Sequence, residues 1–108
     1  MNNLIIDTAG EKIFLKFISS KEEYNINYDN SRENFDEIVK IIFNFIGKNN
    51  KSLSMIDNIF INQGPGKYTS IRSGISIVKA LKISNKVNVY GYNSRKRSVI
   101  ESMFSSSP

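Results

Sequence analysis

A glycine-rich turn between a predicted strand and a predicted helix constrains this sequence most. An apolar, β-branched run over residues 56–61 leads into Gly64, Pro65 and Gly66. Apolar residues then recur at helical spacing, at Ile71, Ile75 and Val78. The glycines allow tight dihedrals closed to other residues, and Pro65 fixes its own φ and favours extended geometry at Gly64. Such a turn aims N–H groups at the space above it, where an anion commonly binds.

The turn does not fit the phosphate-binding P-loop pattern. That pattern needs a glycine five residues before Gly66, where Ile61 stands, and a serine or threonine after Lys67, where Tyr68 stands. Gly66-Lys67 therefore does not by itself indicate a nucleotide-binding loop.

The stretch does resemble another motif. Gly64-Pro65-Gly66-x-Tyr68-Thr69-x-Ile71-Arg72-x-Gly74-Ile75 is similar to the GPGSFTGLRIG signature of the TsaB family, and the match runs without a gap through Ala80-Leu81 to residues 87–91. Residues 4–8 resemble the first strand of that family. The resemblance implies an actin-like (ASKHA) protein, a non-catalytic partner subunit in bacterial tRNA threonylcarbamoyladenosine biosynthesis.

The sequence also departs from the family pattern. Lys67 replaces a serine that would cap the helix, Tyr68 replaces phenylalanine and Ser70 replaces glycine. The family normally carries a second domain after the last strand, whereas this sequence stops soon after it. The role of that second domain is therefore in doubt for this chain.

Composition narrows the possible classes of protein. The 108 residues are enough for one domain with one modest core, and 40% of them are hydrophobic. No apolar run approaches the length of about 20 residues that a membrane helix needs, and no signal-like segment begins the chain, so we expect a cytoplasmic protein without membrane contact. The absence of cysteine and histidine excludes disulfides, imidazole or thiolate metal sites and His-based triads. A metallopeptidase activity, which the label glycoprotease once given to family members would suggest, is excluded with them.

Charge is distributed unevenly along the chain. Residues 1–57 have 7 basic and 9 acidic residues, whereas residues 58–108 have 8 basic residues and Glu101 alone. A basic second half suggests RNA or an acidic partner, with Lys86, Arg95, Lys96 and Arg97 as the candidate contacts. The alternative is that scattered cations only keep the protein in solution.

The order of elements predicts an α/β fold. Strands are expected over residues 4–6, 12–18, 23–28, 55–62 and 87–90, and helices over 30–47, 69–81 and 95–104. The order β-β-β-α-β-α-β-α predicts one ribonuclease-H-like (actin-like ATPase) domain, residues 1–104, with a mixed five-stranded sheet and a flexible tail, residues 105–108. One such half cannot close the nucleotide cleft of an actin-like ATPase.

The first predicted helix is unusually apolar. Asn30 is a suitable N-cap, Glu33 completes the spacing of a capping box, and Gly47 is placed to end the helix. The apolar residues cover an arc of roughly 200°, about twice what a surface helix needs. We therefore expect part of the arc to be an exposed partner-binding face formed by Phe35, Ile38, Ile41, Ile42 and Phe45.

The second predicted helix has a stripe of small residues beside its apolar line. The stripe comprises Thr69, Ser73, Ser76 and Ala80, with Arg72 at its border. Small residues let another helix approach closely, which favours contact with a second chain. A solvated polar face, or contact with the first helix of the same chain, would explain the pattern equally well.

Asp7 and Thr8 end the first strand, where actin-like ATPases handle phosphate and magnesium. They are a candidate residual anion site, but they could equally cap the turn through local hydrogen bonds. No set of residues with catalytic or metal-ligating spacing stands out.

The resemblance implies a scaffold subunit that binds and activates TsaD, the catalytic subunit that forms N6-threonylcarbamoyladenosine at position 37 of tRNA. It places the main contact on the same two helices and leaves ATP to the partner subunits, so this chain alone binds no cofactor. A TsaE-like ATPase is a further partner, tRNA contact is indirect, and a homodimer is expected when TsaD is absent. The alternatives are a small nucleotide- or anion-binding module, using Asp7, Thr8 and residues 64–69, and a basic RNA-binding module.

Overall fold

A mixed five-stranded sheet forms the centre of the structure, a computed structural model that describes residues 1–93. The strands are β1 (Asn3–Asp7), β2 (Lys12–Ile18), β3 (Glu23–Asp29), β4 (Asn58–Asn62) and β5 (Asn88–Tyr92). Their order in the sheet is β3-β2-β1-β4-β5. Pairing is antiparallel in β3-β2-β1 and parallel in β1-β4-β5, which confirms the predicted mixed sheet.

Three α-helices connect the strands. They are α1 (Arg32–Asp36), α2 (Ile38–Lys48) and α3 (Tyr68–Asn85), and a short 3-10 turn (Leu53–Met55) precedes β4. The predicted last helix, its Arg95-Lys96-Arg97 start and the tail at 105–108 lie outside the described residues. Within residues 1–93 no helix is long and apolar enough to cross a membrane.

The main core lies between one face of the sheet, here called the helical face, and the helices α2 and α3. Alternate residues of β2, which are Ile13, Leu15 and Phe17, are buried on this face. Both helices contribute buried residues to the same cluster, Ile38, Ile42, Phe45 and Ile46 from α2 and Val78 and Leu81 from α3. The central strands β1 and β4 are buried on both faces, which explains their continuous apolar runs.

The first predicted helix is two helices. The Ser31 hydroxyl, not Asn30, caps α1 by accepting a 3.2 Å hydrogen bond from the backbone N–H of Asn34. The Asn30 amide instead donates to the carbonyls of Thr8 and Gly10, so it ties the helix entry to the end of β1. Glu37 separates α1 from α2, and α2 ends at Asn49, beyond the predicted stop at Gly47.

The expectation that Ile38, Ile42 and Phe45 form an exposed face is wrong. Each is at most 4% exposed, because the sheet together with Leu53 and Ile56 encloses the apolar arc of α2. Phe35 and Ile41 are half-buried against the same cluster. The exposed apolar residues of α2 are Val39 at 45% and Phe43 at 47%.

The predicted bounds of the last two strands also shift. The 3-10 turn takes up Leu53–Met55, so β4 begins at Asn58 and not at residue 55. Strand β5 continues through Gly91 to Tyr92, and the Tyr92 carbonyl accepts a 2.8 Å hydrogen bond from Gln63 N–H. This bond holds the start of the glycine turn against β5.

The orientation of α2 predicts opposite results for two neighbouring truncations. Ile42→Ala removes a side chain that is 1% exposed and should lower the free energy of unfolding by about 2–4 kcal/mol. Val39→Ala removes a side chain that is nearly half exposed and should cost less than about 1 kcal/mol. Urea denaturation of both variants measures the difference, and equal losses would show that the helix is rotated from this orientation.

Candidate functional site

The glycine turn packs directly on the turn between β1 and β2. Lys67 N–H donates a 2.8 Å hydrogen bond to the Ala9 carbonyl. A Cβ atom at Gly66 would lie 2.2 Å from that same carbonyl oxygen, so only glycine fits. Gly64 has φ of 113°, a positive value open to glycine and not the extended geometry expected from Pro65, and its N–H donates to Asn62 Oδ1. The turn is therefore fixed by contacts within the chain.

Asp7 and Thr8 fasten the end of β1 in two directions. Asp7 Oδ1 accepts a 2.9 Å hydrogen bond from Ala9 N–H, closing the turn locally. Thr8 is fully buried, and its Oγ1 donates a 3.0 Å hydrogen bond to the Ser70 carbonyl in the first turn of α3. Gly74 allows this approach, since a Cβ there would lie 2.8 Å from Thr8 Oγ1. The pair thus positions α3 on the sheet.

These contacts bear on the predicted anion site. The N–H groups of Gly64 and Lys67 already donate within the chain, and the nearby Asp7 carboxylate would repel an anion. Burial raises the pKa of the Tyr92 phenol above its ordinary range, and the Asp7 carboxylate acts in the same direction. Tyr92 therefore stays neutral at ordinary pH. The anion site stays a prediction, while the observed contacts of Asp7 and Thr8 are structural.

The outward face of α3 has a shallow depression of about 290 Å³, lined by Tyr68, Thr69, Arg72, Ser73 and Ser76. Tyr68 is 70% exposed. The Arg72 guanidinium lies 5.5 Å from the Tyr68 ring centroid, and Arg72 Nη1 donates a 3.3 Å hydrogen bond to Tyr68 Oη. The structure thus brings four predicted partner-binding residues together on one exposed helix face.

The small-residue stripe points away from the core. Thr69, Ser76 and Ala80 are exposed, and Ser73 is half-buried. The core line of the same helix, Ile71, Val78 and Leu81, faces the sheet. Because most of the stripe is exposed, contact with α2 of the same chain does not account for it.

Sequence reasoning missed the exposed apolar residues that border this face. They are Tyr68 and Ile83 on α3, with Ile83 83% exposed, and Val39 and Phe43 on α2. Val39 and Phe43 are four residues apart, the spacing that places two side chains on one helix face. That spacing is visible in the sequence, but the correct side of the arc depends on where the sheet lies.

The other predicted sites are placed apart from this face. Lys86 ends α3 in a left-handed conformation with φ of 54°, whereas its proposed RNA-binding companions Arg95, Lys96 and Arg97 lie outside the described residues. Among residues 1–93 no group of three acidic residues could hold a metal ion, and the whole sequence contains no histidine or cysteine.

The fold and these contacts define a ribonuclease-H-like, actin-like α/β domain whose glycine turn positions one helix. A family model described as TsaD, tRNA N6-adenosine threonylcarbamoyltransferase, matches residues 26–106. The chain belongs to this family. Within it, the TsaB resemblance is confirmed: the tRNA threonylcarbamoyladenosine biosynthesis protein TsaB of Buchnera aphidicola subsp. Schizaphis graminum is 26% identical over 88 residues.

That match covers 82% of this chain and 42% of the Buchnera protein. Among solved structures, YeaZ from Pseudomonas aeruginosa superposes with a TM-score of 0.78 at 18% identity, covering 86% of this chain and 45% of YeaZ. T. thermophilus RuvC, solved with a Holliday junction substrate, gives a TM-score of 0.60 at 12% identity, covering 89% of this chain and 66% of RuvC. These structures establish the fold, and the chain spans less than half the length of its TsaB and YeaZ relatives.

The close approach at Gly66 predicts a large cost for the smallest side chain. Gly66→Ala should lower the free energy of unfolding by about 2–3 kcal/mol, because the turn and the Ala9 backbone must separate. Gly47→Ala is the matched control: its Cβ meets nothing within 4 Å in α2, so it should stabilise by about 0.5–1 kcal/mol. Thermal and urea unfolding test both, and a tolerated Gly66→Ala would refute the packing.

Proposed function

We propose that this chain is a non-catalytic scaffold subunit that binds a TsaD-like threonylcarbamoyltransferase and keeps it active in forming N6-threonylcarbamoyladenosine at position 37 of tRNA. Family membership and the similarity to a TsaB protein support the process. The exposed small-residue face of α3, with its depression lined by Tyr68 and Arg72, is the observation that supports partner binding.

The α3 face has the properties of a helix-packing surface. Its small side chains allow a second helix to approach to the 8–10 Å interaxial distance of close packing, about the minimum that side chains permit. The Tyr68 ring adds a rigid aromatic contact at one end, where aromatic residues often carry binding energy. A solvated face with no partner would have no need for either property.

The α2 contribution differs from the one expected from sequence alone. Val39 and Phe43 offer the exposed apolar area, with the half-buried Phe35 and Ile41 packed on the core beside them. Ile38, Ile42 and Phe45 support the helix from beneath and do not reach a partner directly. The contact therefore uses the outer part of the apolar arc.

Arg72 supplies the polar part of the proposed contact. Its guanidinium already rests on the Tyr68 ring, so little side-chain freedom remains to be lost when it pairs with a partner carboxylate. A charge-assisted hydrogen bond of this kind fixes the orientation of two packed helices.

In this proposal the chemistry belongs to other subunits. Asp7 and Thr8, the polar residues nearest to an actin-like phosphate site, are engaged in contacts that position α3. The partner subunits use the ATP, a TsaE-like ATPase joins the assembly, and tRNA contacts this chain only indirectly in the cytoplasm. The chain itself holds no cofactor.

Ser76→Arg tests the α3 face, because it places a long charged side chain in the stripe at an exposed helical position. It should weaken binding to the TsaD-like subunit of the same organism by about tenfold or more, since a close helix contact cannot accommodate it. Ser20→Arg makes the same change in the exposed β2–β3 turn and should bind as the wild type does. Isothermal titration of both variants measures the effect.

The outcomes separate two errors. Wild-type chain that gives no binding heat with the TsaD-like subunit would overturn the scaffold function. Wild-type affinity retained by Ser76→Arg would leave the function standing but move the interface away from α3.

A further inference from the structure

Strand β3 forms one edge of the sheet. It pairs with β2 over its full length, from Glu23 to Asp29, and within residues 1–93 no other strand lies beside it. Proteins commonly protect such an edge with proline, with lysine or with a covering element. The seven residues of β3 include neither proline nor lysine, so the edge lacks both of the side-chain protections.

Two hydrogen bonds flanking the β2–β3 ladder show which backbone groups face outward. Asn30 N–H donates to the Glu11 carbonyl and Ser19 N–H donates to the Glu22 carbonyl, each at 2.8 Å. Antiparallel ladders alternate hydrogen-bonded and non-hydrogen-bonded pairs, so the bonded pairs between these ends are Ile13–Tyr28, Leu15–Ile26 and Phe17–Tyr24. The outward N–H and C=O groups therefore belong to Glu23, Asn25, Asn27 and Asp29.

The sequence of β3 is nearly the same in both directions. It reads Glu-Tyr-Asn-Ile-Asn-Tyr-Asp, with Ile26 at its centre. Asn25 mirrors Asn27, Tyr24 mirrors Tyr28, and the two ends are both acidic. A strand of this kind is complementary to a second copy of itself that runs in the opposite direction, which is the requirement for a two-fold symmetric contact.

We propose that two copies of this chain pair along β3, antiparallel and about a two-fold axis at Ile26, to make one continuous sheet of ten strands. In this register Asn25 lies opposite Asn27 of the second copy and Glu23 lies opposite Asp29. These are the residues with outward backbone groups, so the phase of the β2–β3 ladder agrees with the symmetry of the sequence. The surface is distinct from the proposed TsaD-binding helix face.

This register uses more of the edge than its neighbours do. All four outward residues pair, giving about eight backbone hydrogen bonds across the interface. A shift by two residues in either direction keeps the hydrogen-bonding phase but leaves an outward residue of each copy without a partner, giving about six. A shift by one residue would place the apolar face of one copy against the polar face of the other.

The side chains on the helical face also complement one another. Tyr24 lies opposite Tyr28 of the second copy, and the two Ile26 residues meet at the axis, in the pairs whose side chains approach most closely. A depression of about 150 Å³ adjoins them, lined by Tyr24, Asn25, Ile26, Phe45, Lys48 and Asn49. The second copy's Tyr28 would come beside it and cover part of it.

The acidic ends are neutralised within each copy. Lys16 Nζ lies 2.6 Å from Glu23 Oε1, and Lys12 forms an ion pair with Asp29. The Lys12 ammonium lowers the pKa of the Asp29 carboxyl by hydrogen bonding. Each end of the interface would therefore bring together two carboxylates and two ammonium groups, with no net repulsion between Glu23 and Asp29 of the second copy.

Two paired substitutions test the contact and its register. Asn25→Lys/Asn27→Lys places like charges opposite each other at two positions and should raise the dimer dissociation constant about tenfold or more. Asn25→Lys/Asn27→Glu should keep the dimer, because only this register sets residue 25 against residue 27 and so pairs opposite charges. Both asparagines are exposed, so each variant should fold, which circular dichroism checks.

The readout is mass by multi-angle light scattering across a concentration series of the chain alone. The wild type should reach twice its 12.3 kDa monomer mass. A wild type that stays monomeric, or a Lys/Lys variant that dimerises as the wild type does, would overturn the proposal. Dissociation by Ser76→Arg instead would place self-association on α3, which also contradicts it. Titration with the TsaD-like subunit is a separate readout, so failure of the scaffold function remains distinguishable.

Discussion

The packing of the glycine turn on Ala9 is the constraint on which the rest of the structure depends. Gly66 and the Ala9 backbone approach too closely for any Cβ, and Lys67 N–H seals the contact with a hydrogen bond. The buried Thr8 hydroxyl then fixes the first turn of α3. Because these contacts join β1 to a segment some 60 residues later, they set the direction of α3 and so the direction in which its small-residue face points.

Fixing α3 in this way divides the molecule into surfaces with separate roles. The helical face of the sheet is closed by α2 and α3, whose inner residues make one core cluster. The outer surfaces of the same helices remain for the proposed TsaD-like partner, and the β3 edge remains for the proposed second copy. A small domain can thus offer two interfaces, because a helix face and a sheet edge share few side chains.

Local patterns in the sequence predict the fold well, because strand alternation, the glycine turn and the helical periods after it are all local signals. The strand order and mixed sheet follow from the order of those elements. The break at Glu37 carries no proline or glycine, so no local signal indicates it. The burial of Ile38, Ile42 and Phe45 depends on residues 53–56 closing over α2, which helical periodicity alone does not show.

The candidate site was predictable in part for the same reason. The stripe on α3 follows from helical spacing and lies exposed as expected, whereas the structural role of Thr8 depends on Ser70 and Gly74, far along the chain. Val39 and Phe43 show the spacing of a shared face, but only the position of the sheet identifies that face as the outer one.

Hydroxyl-radical footprinting of the chain, alone and mixed with its TsaD-like subunit, tests the scaffold function most directly. Tyr68 and Phe43 are exposed and reactive probes of the two helices, and Tyr28 on β3 is an internal reference. The account predicts that oxidation of Tyr68 and Phe43 falls several-fold in the mixture while that of Tyr28 is unchanged. Unchanged oxidation of Tyr68 and Phe43 in the mixture would contradict it.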